Sequence, residues 1–448
     1  MELSAFPGFL FIVFDRFTVL AVFFTVFALA VDFMKRRKKC RNYPPGPWGL
    51  PFIGNIHQVD LNNPHPSFAK LWKKYGDVVG VQFGWTNTVI LNGYETLKEA
   101  LVKKSEDFAD RPHLPMYQYM MKTAGDGIAF AKYGQWWKEQ RRFAILTLRN
   151  FGVGKKSSEM RIVEEAGFLN KELEDQKGLP FDPNFLLTCA TSNIICSTVF
   201  GERFEYNDKK FLALLHVLEE SFLLEGAIWG QMKHIPKTSF LESKMIGTIL
   251  NLFAGGTETS STTLRWALLY MMIHPNLQSK VHDEIDRVIG KERKPTLEDR
   301  EEMPYTNAVI HETQRFGNVA PLSLPHQTYR DTEIMGYTIP KGTMIIPNLT
   351  SAMFDENIWS TPHQFNPGHF LNPEGQLVKQ EAFIPFSAGR RVCPGEQLAR
   401  AELFLFFTSM LQRFTFHLPV NEPTPSYTEA KFGITLTPLP YRLCAKLR

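Results

Sequence analysis

The chain has 448 residues, of which 44% are hydrophobic and 21% are charged. This composition supports a large buried core and excludes a disordered or fibrous protein. The net charge is +4, but six of the 50 basic residues fall within positions 35–41. Without those six the balance is 44 basic against 46 acidic residues, so the body of the protein has no bulk charge suited to nucleic acid. Five widely spaced cysteines make no disulfide framework and favour a reducing compartment.

The N-terminus is strongly apolar, and residues 17–31 carry no charge. A helix over residues 17–34 would be about 27 Å long, close to the hydrocarbon thickness of a bilayer. A cleaved signal peptide is the alternative, because Ala28-Leu29-Ala30 is similar to a cleavage site. However, the basic cluster follows the apolar run instead of preceding it, which keeps the cluster in the cytosol. We therefore predict a membrane anchor over residues 1–34.

Residues 35–47 are first basic and then proline-rich, which predicts a stiff linker. No second linker or repeat follows, so residues 48–448 are predicted to be one domain. Strand patterns occur near 78–83, 88–91, 333–347 and 431–437, and most other segments have helical periodicity. The longest predicted helix begins with a capping box at Ser239 and ends at Ile273, before Pro275. Its polar residues 257–263 disfavour a second membrane span. The expected fold class is mainly α with small β-sheets.

Residues 386–395 read FSAGRRVCPG and match the pattern F-x-x-G-x-R-x-C-x-G. Gly389 and Gly395 would let the backbone lie against a flat ligand, and Arg391 would neutralise an anionic group. A helix predicted over 397–414 would place its N-terminus beside Cys393, stabilising the thiolate and lowering the thiol pKa. A single thiolate suits an axial haem ligand better than zinc, which needs several clustered ligands.

On this motif the chain resembles the cytochrome P-450 family of haem-thiolate monooxygenases, and by overall sequence its microsomal family two, subfamily J. The resemblance implies a haem b between the central helix and the cysteine loop, with Cys393 as the iron ligand. Phe386, Gly389, Arg391 and Gly395 would surround the haem. The alternative for Cys393 is an ordinary buried small side chain.

Trp137 and Arg141 match the family's W-x-x-x-R element, whose members contact a haem propionate. A plain amphipathic surface helix is the alternative, although positions i and i+4 do share a helix face. His326 stands where the family has another propionate donor, but a lone histidine is equally a satisfied core residue.

The pattern E-x-x-R occurs three times, and a helical salt bridge is its ordinary meaning. The resemblance selects Glu312 and Arg315 as a buried structural ion pair. The family's partner arginine is replaced here by His369, which should weaken the charge network without abolishing it.

Residues 255–260, GGTETS, match the family's oxygen-activation motif on the central helix. Reduction of dioxygen needs protons, which a hydroxyl backed by a carboxylate can relay. Thr259 and Glu258 are therefore the proton-relay candidates, and Gly255 and Gly256 would leave room for dioxygen and water. A Ser/Thr-rich face with glycine helix packing is the alternative.

The resemblance further implies an endoplasmic reticulum membrane protein with its catalytic domain on the cytoplasmic side. NADPH would act indirectly, through NADPH–cytochrome reductase, because this chain has no flavin or nicotinamide motif. Arg390, Lys138 and Arg142 would contribute to a basic docking face. Substrates would be lipophilic, including polyunsaturated fatty acids such as arachidonic acid, and xenobiotics.

The interval between Trp137 and Thr259 is too short for the family by on the order of fifty residues, about four helices with their loops. The sequence matches resume abruptly near 232/233, as expected for a splice isoform that lacks the roof of the active site. Two alternatives to a working monooxygenase follow: a catalytically impaired isoform that binds haem or reductase without turnover, and a haem-thiolate isomerase. Thr259 and Glu258 disfavour the isomerase, which needs no proton relay.

Overall fold

Helices dominate the computed structural model, which describes residues 16–36, 40–114, 127–216 and 241–448. We number the helices in chain order as α1 Arg16–Arg36, α2 Pro64–Tyr75, α3 Tyr94–Lys98, α4 Gln135–Asn150, α5 Lys156–Asp175, α6 Asn184–Val199, α7 Leu241–Ile273, α8 Pro275–Val288, α9 Pro304–Gly317, α10 Leu349–Met353 and α11 Glu396–Arg413. Short 3₁₀ turns include Pro367–Phe370 and Gly389–Arg391, and residues 209–216 are also helical.

Within the described residues the strands form one four-stranded sheet and three two-stranded antiparallel sheets. In chain order they are β1 Val78–Phe83, β2 Thr86–Leu91, β3 His326–Gln327, β4 Thr332–Ile334, β5 Tyr337–Ile339, β6 Met344–Pro347, β7 Phe414–His417, β8 Ala430–Phe432, β9 Leu436–Pro438 and β10 Cys444–Leu447. The larger sheet has the order β1-β2-β6-β3, with β1 antiparallel and β6 parallel to β2.

The main core lies where α7 crosses α6, α9 and α11. Helix α6 carries no charged residue over its whole length, the pattern of a helix that is buried on every side. Gly256 permits the close approach of α7, because a Cβ at this position would lie 2.4 Å from Ile195 Cδ1 of α6. The C-terminal third of α7 is fully enclosed, and Pro275 begins the next helix after His274.

The predicted mainly-α fold with small sheets is confirmed. The first predicted strand has the observed bounds of β1, and the predicted 333–347 segment contains β5 and β6 and most of β4. The predicted start of the central helix at Ser239 lies outside the described residues, but its end at Ile273 is as predicted. In the described parts of the chain, no helix has both the length and the apolar character needed to cross a membrane.

Candidate active site

Cys393 lies between the 3₁₀ turn Gly389–Arg391 and the start of α11, with an exposed side chain. Its backbone N–H donates to the carbonyl of Phe386 at 3.1 Å, which closes the loop. Crowding by protein atoms raises the pKa of the Cys393 thiol, while the backbone N–H groups of Gly395 and Glu396 and the charge of Arg141 act in the opposite direction. The helix N-terminus therefore acts on this pKa in the expected direction, but the protein atoms packed around the thiol outweigh it and the net shift is upward.

Gly389 and Gly395 have different roles in the cysteine loop. Gly389 has φ +76°, and a Cβ there would lie 1.5 Å from the carbonyl oxygen of Leu101. Glycine is thus required here for contact with another backbone segment, a constraint that the sequence did not indicate. A Cβ at Gly395 would meet only Cys393 Sγ, at 3.9 Å, so this position borders the thiol.

A cluster of buried arginines lies beside the cysteine loop. Arg391 donates from three guanidinium nitrogens to the carbonyl oxygens of Ala109, Ile128 and Ala131, at 2.8, 3.2 and 2.7 Å. Arg111 donates to the carbonyls of Ala129, Leu324 and Pro325. Arg141 donates to the carbonyl of Val392, the residue before the cysteine.

These guanidinium groups are charged in a poorly solvated place. Burial and the charge of Arg111 lower the pKa of Arg391 to about 8, and burial and the charge of Arg141 lower the pKa of Arg111 to about 9. Asp110 offsets part of the repulsion. Carbonyl oxygens satisfy the hydrogen bonds but not the charge, so the cluster favours an anionic ligand. Together with a single thiol, this donor set fits the two carboxylates and the iron of a haem.

Trp137 and His326 join the same cluster through bonds to backbone. Trp137 is buried, its indole N–H donates to the carbonyl of Ile128 at 2.9 Å, and Arg391 stacks on its ring. His326 is buried with Nδ1 2.6 Å from the carbonyl of Phe108, which assigns the proton to Nδ1. Burial holds the pKa of His326 well below its usual range, so the ring is neutral and its one N–H is already used. This geometry supports a fixed core histidine rather than a propionate donor.

Glu312 and Arg315 form a fully buried bidentate pair, with Nε–Oε2 and Nη2–Oε1 distances of 2.7 Å. Arg315 also donates to the carbonyls of Met353 and Pro362, and the backbone N–H of Asn366 donates to Glu312. His369 Nδ1 lies 3.2 Å from Glu312 Oε2, so this histidine contacts the carboxylate for which the resemblance predicted an arginine partner. The pair ties α9 to the segment that leads toward the cysteine loop.

The other two E-x-x-R matches differ from this pair. Arg287 lies 3.7 Å from Glu284 and is largely exposed, while Glu139 accepts from Gln135. Burial of both partners and bidentate geometry, neither of which the pattern encodes, distinguish Glu312 and Arg315 from the other two matches.

The oxygen-activation motif occupies the middle of α7. Thr259 is partly buried, and its hydroxyl donates to the carbonyl of Gly255 at 2.5 Å. Glu258 Oε1 accepts from the hydroxyls of Thr262 and Thr435, each at 3.1 Å. A Cβ at Gly255 would meet nothing, whereas Gly256 packs against α6. Gly255 therefore borders open space, as predicted for dioxygen and water, whereas Gly256 serves the alternative role of helix packing.

Sequence reasoning missed Arg111 and Glu402. Arg111 precedes a proline in a loop, and no periodic signal marks it as buried. Glu402 lies on α11, where a glutamate in a helix predicts a solvated face, yet it is buried and accepts from Ser260 at 2.7 Å. Burial raises the pKa of Glu402 to about 8, so it is largely protonated at neutral pH.

Comparison with known proteins agrees with this site. The sequence profile of the family Cytochrome P450 matches in two overlapping segments, residues 44–245 and 231–445. Cytochrome P450 2D20 of Mesocricetus auratus is 43% identical over 488 alignment positions, covering 95% of this chain and 97% of that protein. Cytochrome P450 2J2 of Homo sapiens is 45% identical over 478 positions, covering 94% of each chain. The chain belongs to the cytochrome P450 family, and its relatives include members of family two in subfamilies D and J. It is therefore a P450 monooxygenase of the haem-thiolate type.

Proposed function

We propose that this chain oxygenates lipophilic substrates at a haem b ligated by Cys393. The observation that carries the proposal is the exposed thiol beside three arginines whose charges lie in a poorly solvated cluster. When bound, a haem-thiolate activates dioxygen for insertion of one oxygen atom into a C–H or C=C bond. Arg111, Arg141 and Arg391 would hold the propionates, with Trp137 supporting Arg391.

Thr259 and Glu258 are proposed to move protons on the distal side. The Thr259 hydroxyl donates to the backbone carbonyl of Gly255, which borders open space. The hydroxyl can therefore rotate away from this carbonyl and donate to another nearby acceptor. Glu258 is held by Thr262 of the same helix and by Thr435 of the β8–β9 loop, where it can resupply the proton.

NADPH–cytochrome reductase is the proposed electron donor. A groove of about 430 Å³ runs along α4, and its lining residues are Trp137, Lys138, Arg141, Arg142, Ile145, Leu146, Arg149 and Arg390. Five of the eight are basic, including Arg390, Lys138 and Arg142 as expected. This charge favours an acidic partner surface close to Cys393.

The endoplasmic reticulum membrane is the proposed location, with an N-terminal single-pass anchor and the domain on the cytoplasmic side. Eight large apolar side chains of α1 are more than half exposed: Val19, Leu20, Val22, Phe23, Phe24, Val26, Phe27 and Met34. Such a surface is stable only against lipid or another apolar surface.

We infer an internal deletion near 232/233. The match to the family's sequence profile breaks into two segments there. The alignment with cytochrome P450 2D20 has 488 positions, but 95% of this 448-residue chain supplies only about 426 residues to it. Roughly sixty positions therefore have no residue of this chain. The join itself lies outside the described residues. Loss of the roof favours the second candidate function, an isoform that binds haem or reductase without turnover.

A reduced carbon monoxide difference spectrum of the purified chain, followed by NADPH-driven turnover with reductase, tests both candidates. The thiolate-haem Soret band with turnover of arachidonic acid supports the monooxygenase. The band without turnover supports the impaired isoform. Absence of the band refutes the monooxygenase and leaves an isoform that at most binds the reductase. Cys393→Ala should abolish the band, whereas the control Cys40→Ala, at a cysteine outside the motif, should retain it.

A further inference from the structure

The β8–β9 hairpin, residues 430–438, is fastened to α7 and to the segment after α9. The backbone N–H of Leu436 donates to the carbonyl of Val319 at 2.9 Å. The indole N–H of Trp266 on α7 donates to the carbonyl of Leu436, also at 2.9 Å. Just beyond β9, the hydroxyl of Tyr441 donates to the carbonyl of Arg265 on α7 at 2.6 Å. These bonds fix the position of the hairpin along the central helix.

Thr435 is the last residue of the β8–β9 loop and connects this fixed hairpin to Glu258. It is buried, and its hydroxyl donates to Glu258 Oε1 at 3.1 Å. The hydroxyl of Thr262, one turn further along α7, donates to the same oxygen at 3.1 Å. One carboxylate oxygen thus accepts from its own helix and from a separate element. Two donors on separate elements restrict the orientation of a side chain more than one local donor does.

Backbone hydrogen bonds already close the β8–β9 loop. The N–H of Gly433 donates to the carbonyl of Thr435 at 2.9 Å, and Phe432 pairs with Leu436 in the ladder. Thr437, two positions after Thr435, shows the ordinary use of a threonine in such a hairpin, because its hydroxyl donates to the carbonyl of Lys431 at 3.3 Å. The two threonines therefore differ: one hydroxyl bonds within the hairpin, and the other bonds to the proton-relay candidate on α7.

We propose that Thr435 is a positioning residue for proton delivery, which holds the Glu258 carboxylate where it can resupply a proton to Thr259. This inference rests on the proposed function, in which Glu258 and Thr259 move protons, and adds to it a residue from outside α7. Insertion of one atom of dioxygen into a substrate, with release of the other as water, consumes two electrons and two protons. The electrons come from NADPH through the reductase. Each proton that leaves Glu258 is replaced in every turnover, so the reach of its carboxylate limits the rate.

The hairpin gives this positioning a support that does not depend on the proposed deletion. Its partners Arg265, Trp266 and Val319 all lie after the join near 232/233. On its other strand, Phe432 packs against the core beside the four-stranded sheet, with its ring 6.3 Å from that of His65 on α2. The hairpin therefore connects the sheet to α7, and a displacement of the hairpin would move Thr435 relative to Glu258.

The first experiment uses the full chain with haem and the reductase, and compares Thr435→Val with Thr435→Ser and with the matched control Thr437→Val. Valine has nearly the shape of threonine but no hydroxyl, whereas serine keeps the hydroxyl. We expect Thr435→Val to lower the NADPH-driven kcat for arachidonic acid by about tenfold, as for loss of a hydrogen bond to a charged group, with KM unchanged. Thr435→Ser and Thr437→Val should stay close to the wild type.

Hydrogen peroxide as the oxidant separates proton delivery from a merely structural role, because peroxide brings both electrons and both protons with it. Thr435→Val should therefore lose much less of the peroxide-driven rate than of the NADPH-driven rate. Rates are expressed per thiolate-haem, measured from the reduced carbon monoxide band, so that a loss of folded protein does not count as a loss of rate. Equal losses in the two reactions, or an NADPH-driven rate equal to that of the wild type, would refute the role in proton delivery.

A double-mutant cycle tests the contact without turnover. It combines Thr435→Val with Glu258→Ala and measures urea midpoints of the purified full chain. Thr435→Val should lower the midpoint when Glu258 is present and have little effect in Glu258→Ala, whereas Thr437→Val should have the same effect in both backgrounds. Additive effects of Thr435→Val and Glu258→Ala would overturn the proposal. Absence of turnover in the wild type would refute the proposed monooxygenase, and the cycle alone would then decide whether Thr435 holds Glu258.

Discussion

Replacing Glu312 by alanine should destabilise the domain severely. The substitution leaves Arg315 as an uncompensated cation with no exposed side-chain surface, and it removes the acceptor for the Asn366 N–H and for His369. Removing one member of a buried ion pair costs about 3–5 kcal/mol. With an unfolding m-value of roughly 4 kcal/mol/M for a domain of this size, the urea midpoint should fall by about 1 M.

The assay is urea unfolding followed by tryptophan fluorescence. Trp359 is a local reporter, because its ring lies 5.0 Å from the Arg315 guanidinium and 5.4 Å from the His369 ring. The matched control is Arg287→Ala, in the same E-x-x-R pattern, because the exposed Arg287 lies 3.7 Å from Glu284 and should contribute less than about 1 kcal/mol. Similar midpoints for the two variants would refute the reasoning that burial, not the pattern, gives Glu312 its role.

Three further predictions concern Glu402 and the glycines. Because the pKa of Glu402 is raised, the folded state keeps a proton that the unfolded state releases above about pH 4.5. The free energy of unfolding of the wild type should therefore fall by about 1.4 kcal/mol per pH unit up to about pH 8. Glu402→Gln should flatten this decline in urea midpoints measured from pH 5 to 8, and an unchanged slope would exclude Glu402 as its source. Gly256→Ala should be less stable than Gly255→Ala by about 1–2 kcal/mol in thermal melts, since only the former meets Ile195; equal melting points would contradict the packing contact. Gly389→Ala should abolish the reduced carbon monoxide band while Gly395→Ala retains it, and the reverse order would show that Gly395 is the constrained position.

Local chemistry explains which elements the sequence predicts well. The end of α7 follows from Pro275, and β1 follows from a valine-rich run that is buried on both faces. The cysteine loop is predictable because its spacing is specific. The hydrogen-bond partners of Arg391, Trp137 and His326 cannot be predicted from the sequence, because each partner is a backbone carbonyl and every residue has one. The role of Gly389 likewise depends on Leu101, almost three hundred positions earlier in the chain.

The proposed deletion falls between α6 and α7, but these helices remain tightly joined. Thr191 donates to the carbonyl of Thr257 at 3.2 Å, Ser192 donates to the Thr257 hydroxyl at 3.1 Å, and Ile195 packs on Gly256. All three contacts lie within three residues of Thr259, so α6 itself fixes the position of the oxygen-activation motif.

The thiol and the arginine cluster depend on other parts of the chain. Carbonyl groups of residues 109, 128, 129, 131, 324, 325 and 392 hold Arg111, Arg141 and Arg391, and none of these residues belongs to the shortened interval. The arginine cluster and the middle of α7 are thus positioned by residues on either side of the proposed deletion. A deletion there is expected to change substrate access and water exclusion before it changes haem ligation, which is why a normal carbon monoxide band with reduced turnover is the distinguishing result for this chain.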